Sequence, residues 1–236
     1  MLEKLDHNTG AIGRFAWVMA WFGLVAGQLH ALARFAVPEH AEDLTDYPLT
    51  AAWAEPAMDL FSPLLTWGDP DLVYVTYGKI WFPVFVAFTL AAAVVYRRRS
   101  PAGFEKWAWR LAITTYVAAC LGVFLDYWTQ WTGDYNVLFL VGTWVTFPAL
   151  GLMLITSTVL GVTLLVKRFR PVLPPLLLAL LIPAALAITE VTSLGSAALP
   201  VMFAFGILGR RIARADEPGS DGVGRQLAGE VGVGAA

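Results

Sequence analysis

The chain has 236 residues, 58% of them hydrophobic and only 14% charged, with a formal net charge of -2. A soluble domain carries about 25% charged residues, so this composition excludes an ordinary soluble domain, and it is far too apolar for a disordered chain. Without a basic face, nucleic-acid binding is excluded as well.

Crossing a bilayer as a helix takes ~20 mostly apolar residues. The first run that qualifies is about 11–35, opening AIGRFAWVMAWFGLVAG. Ala31-Leu32-Ala33 mimics a signal-peptidase site, but the apolar stretch exceeds the usual signal core of about 7–15 residues, so it reads as an uncleaved span. An acidic, proline-punctuated outer loop, 36–78, follows. Within it Thr50–Phe61 (TAAWAEPAMDLF) reads as a short helix on the membrane face, with Trp53 and Leu60 on one side. A covering loop is the simpler reading; a lid or a docking surface is the alternative.

The second, third and fourth spans read as about 80–96, 108–128 and 138–166. The last run, 172–209, is too long for one crossing at ~1.5 Å per residue and is interrupted at Thr189–Ser193. Lys and Arg collect in cytoplasmic loops. With the N-terminus inside and six spans, 14 of the 16 basic residues fall inside, leaving Arg34 and Lys79 outside. That count requires 172–209 to begin and end on one side, as a tight hairpin (172–188 and 194–209) with Glu190 at its outer turn. A re-entrant loop satisfies the same count.

The expected fold is therefore all-α: a polytopic bundle of six transmembrane helices in the cytoplasmic membrane, both termini cytoplasmic. Residues 1–10 form the N-terminus, 11–214 the membrane domain, and the Gly-rich 215–236 a disordered tail. Trp81, Trp128, Trp131 and Trp144 are expected at the outer interface, and Trp107 and Trp109 at the inner one.

Polar residues gather at the outer level. Ala16, Ala20, Gly23, Gly27, His30 and Arg34 form one helical stripe, and Ala112, Thr115, Ala119, Gly122 and Asp126 form another. Small residues admit a neighbouring helix, so His30, Arg34 and Asp126 should face the bundle. Pairing of Arg34 or His30 with Asp126 is expected, since a lone carboxylate near hydrocarbon is costly. Two readings follow. Arg34–Asp126 and Lys79–Glu190 ion pairs would merely fasten helix ends. Alternatively, an outward-opening pocket lined by Trp81, Tyr127, Trp128 and Trp131 would use His30, Asp126 and Glu190 as acid/base groups. Its ligand contacts would come from Arg34, Lys79, Trp128, Trp131 and Asp134, the last three within the polar-aromatic stretch LDYWTQWTGDYN.

Other chemistries lack their residues. One cysteine, Cys120, offers no disulfide and no zinc pattern. Only His30 of three histidines lies in a span, which excludes bis-histidine haem and His-rich di-iron sites held by this chain alone. No nucleotide-binding glycine loop and no H-E-x-x-H occurs. Gly195-Ser196 reads as small-residue packing rather than a nucleophile. No cofactor and no metal is expected.

The Arg-over-Lys usage (12 against 4), the opening GRFAWVMAWFGLVAGQLHALARFA, the stretch VYVTYGKIWFPVFVAF and the turn DYWTQWTGDYN resemble multi-pass membrane proteins of unassigned function from high-GC Gram-positive bacteria. The resemblance implies a cytoplasmic membrane and brings no catalytic residues. The expected function is a non-enzymatic accessory or small-ligand-binding bundle with its polar surface outside. The alternative is a membrane-embedded enzyme or transporter for a lipid-like or small polar substrate at the outer leaflet. Expected partners are membrane lipids, with a membrane protein or a second copy of the chain as further candidates.

Overall fold

The computed structural model describes residues 8–40 and 43–215. The expected tail beyond residue 215 and most of the N-terminal segment lie outside the described residues. Among the described residues every regular element is helical. Five helical stretches are long and apolar enough to cross a membrane: Thr9–Phe35, Pro70–Arg99, Gly103–Trp128, Val137–Val166 and Leu194–Ala215.

The first stretch is helix α1, Thr9–Phe35. After helical turns at Pro38–His40 and Asp43–Asp46, α2 covers Pro48–Leu60. Trp53 is half-buried and donates its indole N–H to the Val191 carbonyl, whereas Leu60 is 73% exposed. The shared side expected for these two therefore fails, because Leu60 lies at the helix end, past the surface that α2 covers.

The second long stretch begins ten residues earlier than expected. Asp69 caps it, accepting from the Asp71 and Leu72 amides (3.0 and 3.4 Å), and Pro70 supplies a preset φ at the first position. It runs as α3, Pro70–Gly78, then α4, Trp81–Arg99. The outer loop is correspondingly shorter, and Lys79 sits inside the stretch rather than before it. Helix α5, Gly103–Val123, ends in a π-helical turn, Phe124–Trp128. Asn136 caps α6, Val137–Val166, through the Leu138 and Phe139 amides.

Two short helices follow, α7 (Leu173–Ala179) and α8 (Leu181–Thr189). Pro183 explains the break, since it has no N–H to give the Ala179 carbonyl and its ring clashes there. A 3₁₀ turn, Leu194–Ala198, leads into α9, Leu199–Ala215.

Small residues set the helix approaches. A Cβ added at Gly13 would strike the Gly209 carbonyl, and one at Gly209 would strike Gly13, so α1 and α9 meet backbone to backbone. The stripe Ala112, Thr115, Ala119 and Gly122 of α5 is buried against α6. Hydroxyl pairs bridge that contact, Tyr116 Oη to Ser157 Oγ (2.8 Å) and Thr115 to Thr156 (2.9 Å). Trp109, Tyr116, Phe88 and Phe205 fill the centre. Trp109 and Trp81 are thus core residues at 0% and 2% exposure, not belt residues; Trp107, Trp131 and Trp144 do face outward.

The bundle has two chemically distinct ends. At one, Arg97–Arg99 close α4 and Arg210, Arg211 and Arg214 lie in the last part of α9. There Glu105, in the first turn of α5, is buried; its carboxylate pairs with Arg99 and accepts from the Trp109 indole (3.4 Å). The third span was expected to begin at about 108, which left Glu105 outside it; the helix begins at Gly103. The opposite end carries His30, Asp126 and the α2 loop.

Substituting Gly13 by Leu is expected to lower the thermal unfolding midpoint in detergent, by about 1–3 kcal/mol or more of stability, as overpacking at a rigid contact does. Differential scanning fluorimetry on the purified protein checks it; an unchanged midpoint would deny the α1–α9 contact.

Candidate functional site

A cavity of about 510 Å³ opens at the end opposite the arginines. His30 and Arg34 from α1, Tyr74 and Trp81 from α3–α4, Asp126 and Tyr127 from the π turn, and the α6 face from Phe139 to Leu154 line it. Ser193 and the 3₁₀ turn that follows it, through Leu194, Gly195, Ala197 and Ala198, border the remaining side.

Trp81 positions the histidine. Its indole fits between Gly27 and Gly195; a Cβ at either would crowd the ring. The indole N–H donates to His30 Nδ1 at 3.0 Å. Nδ1 is therefore the acceptor, and the ring proton resides on Nε2. Tyr74 stacks on the imidazole (centroids 4.9 Å apart, 19° between planes) and Tyr127 meets it edge-on at 5.3 Å. The two phenols hydrogen-bond to each other at 3.1 Å. The imidazole is 3% exposed, held by three aromatic rings, with Nε2 buried and without a hydrogen-bond partner.

Asp126 is presented by the π turn, a device that inserts a residue and re-aims its side chain, frequently at functional positions. Gly142 leaves the room it occupies; a Cβ there would collide with Asp126, just as one at Gly122 would collide with Thr146. Thr143 and Thr146 stand beside the carboxylate. The Thr143 hydroxyl donates elsewhere, to the Phe139 carbonyl (3.0 Å), and Asp126 Oδ1 and Thr146 Oγ1 are each buried without a partner. Ser193 Oγ, on the opposite wall, is in the same condition.

The expected pairing of Asp126 is not made. No ion pair within 4 Å joins Arg34 to Asp126, and His30 bonds to Trp81 instead. Arg34 and Asp126 occupy the same cavity as separate wall residues. Lys79 and Glu190 do not pair either. The Lys79 ammonium lies 3.7 Å from the Trp131 ring centroid, and exposed Glu190 takes part through its backbone carbonyl, which accepts from Thr50 Oγ1 (3.1 Å).

Of the sequence candidates, His30, Arg34 and Asp126 come together in the cavity, with Trp81 and Tyr127. Lys79, Trp128, Trp131, Asp134 and Glu190 do not line it. Trp128 donates to the Lys79 carbonyl (2.8 Å) and so ties the π turn to α4; Asp134 is exposed and accepts from Thr132 through its carbonyl. Tyr135, an aromatic of the same 125–136 stretch, lines the cavity as well, whereas sequence reasoning missed Tyr74, Thr143, Thr146 and Ser193. The α6 residues were legible: Phe139, Thr143, Phe147, Leu150 and Leu154 recur every three or four positions, a stripe of mixed polarity on a very apolar helix.

At the rim, Tyr135 donates to Asp71 Oδ1 at 2.5 Å. Partial burial, reinforced by this bond to a carboxylate, raises the phenol well above its usual range, so it stays a donor. Among the described residues no group of three His, Cys, Asp or Glu is placed to hold a metal.

Comparison with protein-family models, curated proteins and solved structures returned no match, so the chemistry of this cavity rests on its own residues.

Replacing Trp81 by Phe removes the donor that fixes the imidazole. Histidine ¹⁵N spectra of the wild type should show Nδ1 unprotonated and Nε2 protonated for His30. In the variant the two tautomers should mix, with about 1–3 kcal/mol of stability lost to an unsatisfied buried acceptor. Identical His30 signals in both proteins would contradict the assignment.

Proposed function

We propose that this protein is a non-enzymatic, membrane-embedded ligand-binding bundle, with its pocket in the outer half of the cytoplasmic membrane. The single observation that carries this reading is the grouping of buried polar atoms without partners. His30 Nε2, Asp126 Oδ1, Thr146 Oγ1 and Ser193 Oγ are buried without partners, and the four residues that carry them all line one cavity. Each such atom costs about 1–3 kcal/mol, and natural proteins retain few of them without a use. The cavity's volume falls in the ~300–1,000 Å³ range of small-molecule sites, and its mostly apolar and aromatic lining with a few polar groups is of the kind such sites have.

The proposed topology has six crossings with both termini cytoplasmic. Helices α7 and α8 supply the crossing between α6 and α9. In support, Phe169 lies against Arg99 at the arginine end, while Glu190 and Val191 are bonded to α2 at the opposite end. The 17 residues from Leu173 to Thr189 reach roughly 26 Å at a helical rise, close to the bilayer's hydrocarbon thickness. Placing the arginine cluster inside follows the Lys/Arg bias.

The second reading, an enzyme or transporter for a lipid-like or small polar substrate, draws on the same wall. A tautomer-fixed imidazole and a carboxylate facing one cavity are the parts of an acid/base pair. Binding is preferred because buried polar groups without partners beside a cavity call for a bound molecule to complete their hydrogen bonds.

Native mass spectrometry of protein extracted directly from membranes tests the binding reading. The wild type is expected to carry a small-molecule adduct that the His30→Leu/Asp126→Asn double variant has lost. Equal adducts, or none in either, would overturn it.

In a Cys120→Ala background, a cysteine at Asp134 should react with a membrane-impermeant maleimide on intact cells, and one at Ser100 only after lysis. The reverse pattern would refute the orientation.

A further inference from the structure

We propose that the ligand is a single-chain amphiphile with an uncharged, hydroxyl-bearing head, and that it enters sideways from the outer leaflet between α6 and the Leu194–Ala198 turn. This rests on the ligand-binding reading above and gives it a ligand class.

The side opening is read from the wall. Phe147 and Leu194 line the cavity from α6 and from the 3₁₀ turn, yet they are 58% and 41% exposed on the outside of the bundle. Gly151 lines the cavity and is exposed too, and a Cβ added there meets nothing within 4 Å. Phe147 and Gly151 lie in the middle third of the 30-residue helix Val137–Val166, which puts them at hydrocarbon depth rather than in water. Nearly three turns beyond Gly151 the gap is closed: a Cβ at Gly161 would hit the α7 backbone at Leu178 and Ala179. The cavity is thus a slot, sealed at its foot by α7 and open laterally above it.

The lining has a gradient along α6. From Phe139 to Leu154 the helix advances roughly 22 Å at its ~1.5 Å rise. The upper part faces Asp126, Thr146, His30 and Arg34; the lower part is Phe147, Leu150, Met153 and Leu154. A molecule that satisfies both parts has a polar head above and an aliphatic chain below, leaving through the slot into lipid. The cavity's 510 Å³ suits one chain and its head.

The head must meet two opposite needs. His30 Nε2–H requires an acceptor, and Asp126 Oδ1 requires a donor. Thr146 and Ser193 hydroxyls accept either role. A carboxylate or phosphate head would meet Arg34 but also the Asp126 carboxylate, and an ammonium head Asp126 but also the Arg34 guanidinium; with both signs in one wall, neither charge gains a net partner. A hydroxyl donates and accepts, and carries no charge to strip of water.

The test uses the full chain in lipid nanodiscs and measures binding of a medium-chain monoacylglycerol, the fatty acid and alkylamine of equal chain length, and free glycerol. Thermal midpoints are recorded alongside. The monoacylglycerol is expected to bind, the two charged analogues at least about tenfold more weakly, and glycerol not detectably. Gly151→Trp, which fills the slot without touching a polar residue, should weaken the monoacylglycerol by about tenfold or more with an unchanged midpoint. If Gly151→Trp fails to fold, Gly151→Leu takes its place.

Glycerol binding as well as the monoacylglycerol, unaffected at Gly151, would overturn the amphiphile and the lateral route while leaving a polar pocket. Charged analogues binding equally would overturn the head assignment. No binding by any probe, with His30→Leu/Asp126→Asn also indistinguishable from wild type in native mass spectra, would overturn both this proposal and the binding reading beneath it.

Discussion

Trp81 lies between Gly27 of the first helix and Gly195 of the last connecting turn, and its indole N–H ends on His30 Nδ1. Three segments distant in sequence are thereby held at one fixed spacing. The contact exists only because both flanking positions lack a Cβ. From it follow the imidazole tautomer, the direction of Nε2, and the position of the 3₁₀ turn that forms the cavity's open side. Tyr74 and Tyr127 complete the frame around the ring, and their mutual hydrogen bond ties α3 to the π turn that presents Asp126.

The two ends of the bundle resolve their charges differently. At the arginine end, the one buried carboxylate, Glu105, is fully engaged by Arg99 and Trp109. At the other, Asp126 is buried next to hydroxyls with no cation bonded to it. Both acids are equally hidden, so burial does not explain the contrast. A chain that can satisfy one carboxylate with an arginine six residues away leaves an oxygen of the second without a hydrogen-bond partner beside a cavity. That is the pattern of a group kept for something other than folding.

How much of this was legible in the sequence varies residue by residue. The small-residue stripes were fully readable: Ala16 to His30 and Ala112 to Asp126 are buried as the spacing demanded. Periodicity fixes a face, however, and not a partner. It brought His30, Arg34 and Asp126 to one level and then assigned them to each other, whereas a π turn and an indole from another helix decide the actual contacts. Aromatic residues misled for a related reason. Trp81 and Trp131 were both expected at the outer interface, yet one is wedged between glycines and the other is exposed beside Lys79. The start of the second long helix was missed because polar Asp69, Asp71 and Lys79 lowered the apolar signal, although Asp69-Pro70 is a regular helix opening. Ser193 and Thr146 gave no local sign, since their role depends on which walls face each other across empty space.

The account stands on the claim that Asp126 is retained for a ligand rather than for stability. Thermal unfolding of Asp126→Leu in detergent, free of added amphiphile, tests that claim directly. Removing a buried, unsatisfied carboxylate should leave the midpoint unchanged or raise it. A fall corresponding to about 3–5 kcal/mol, the cost of breaking a buried ion pair, would mean that the carboxylate fastens the helices and would contradict the account.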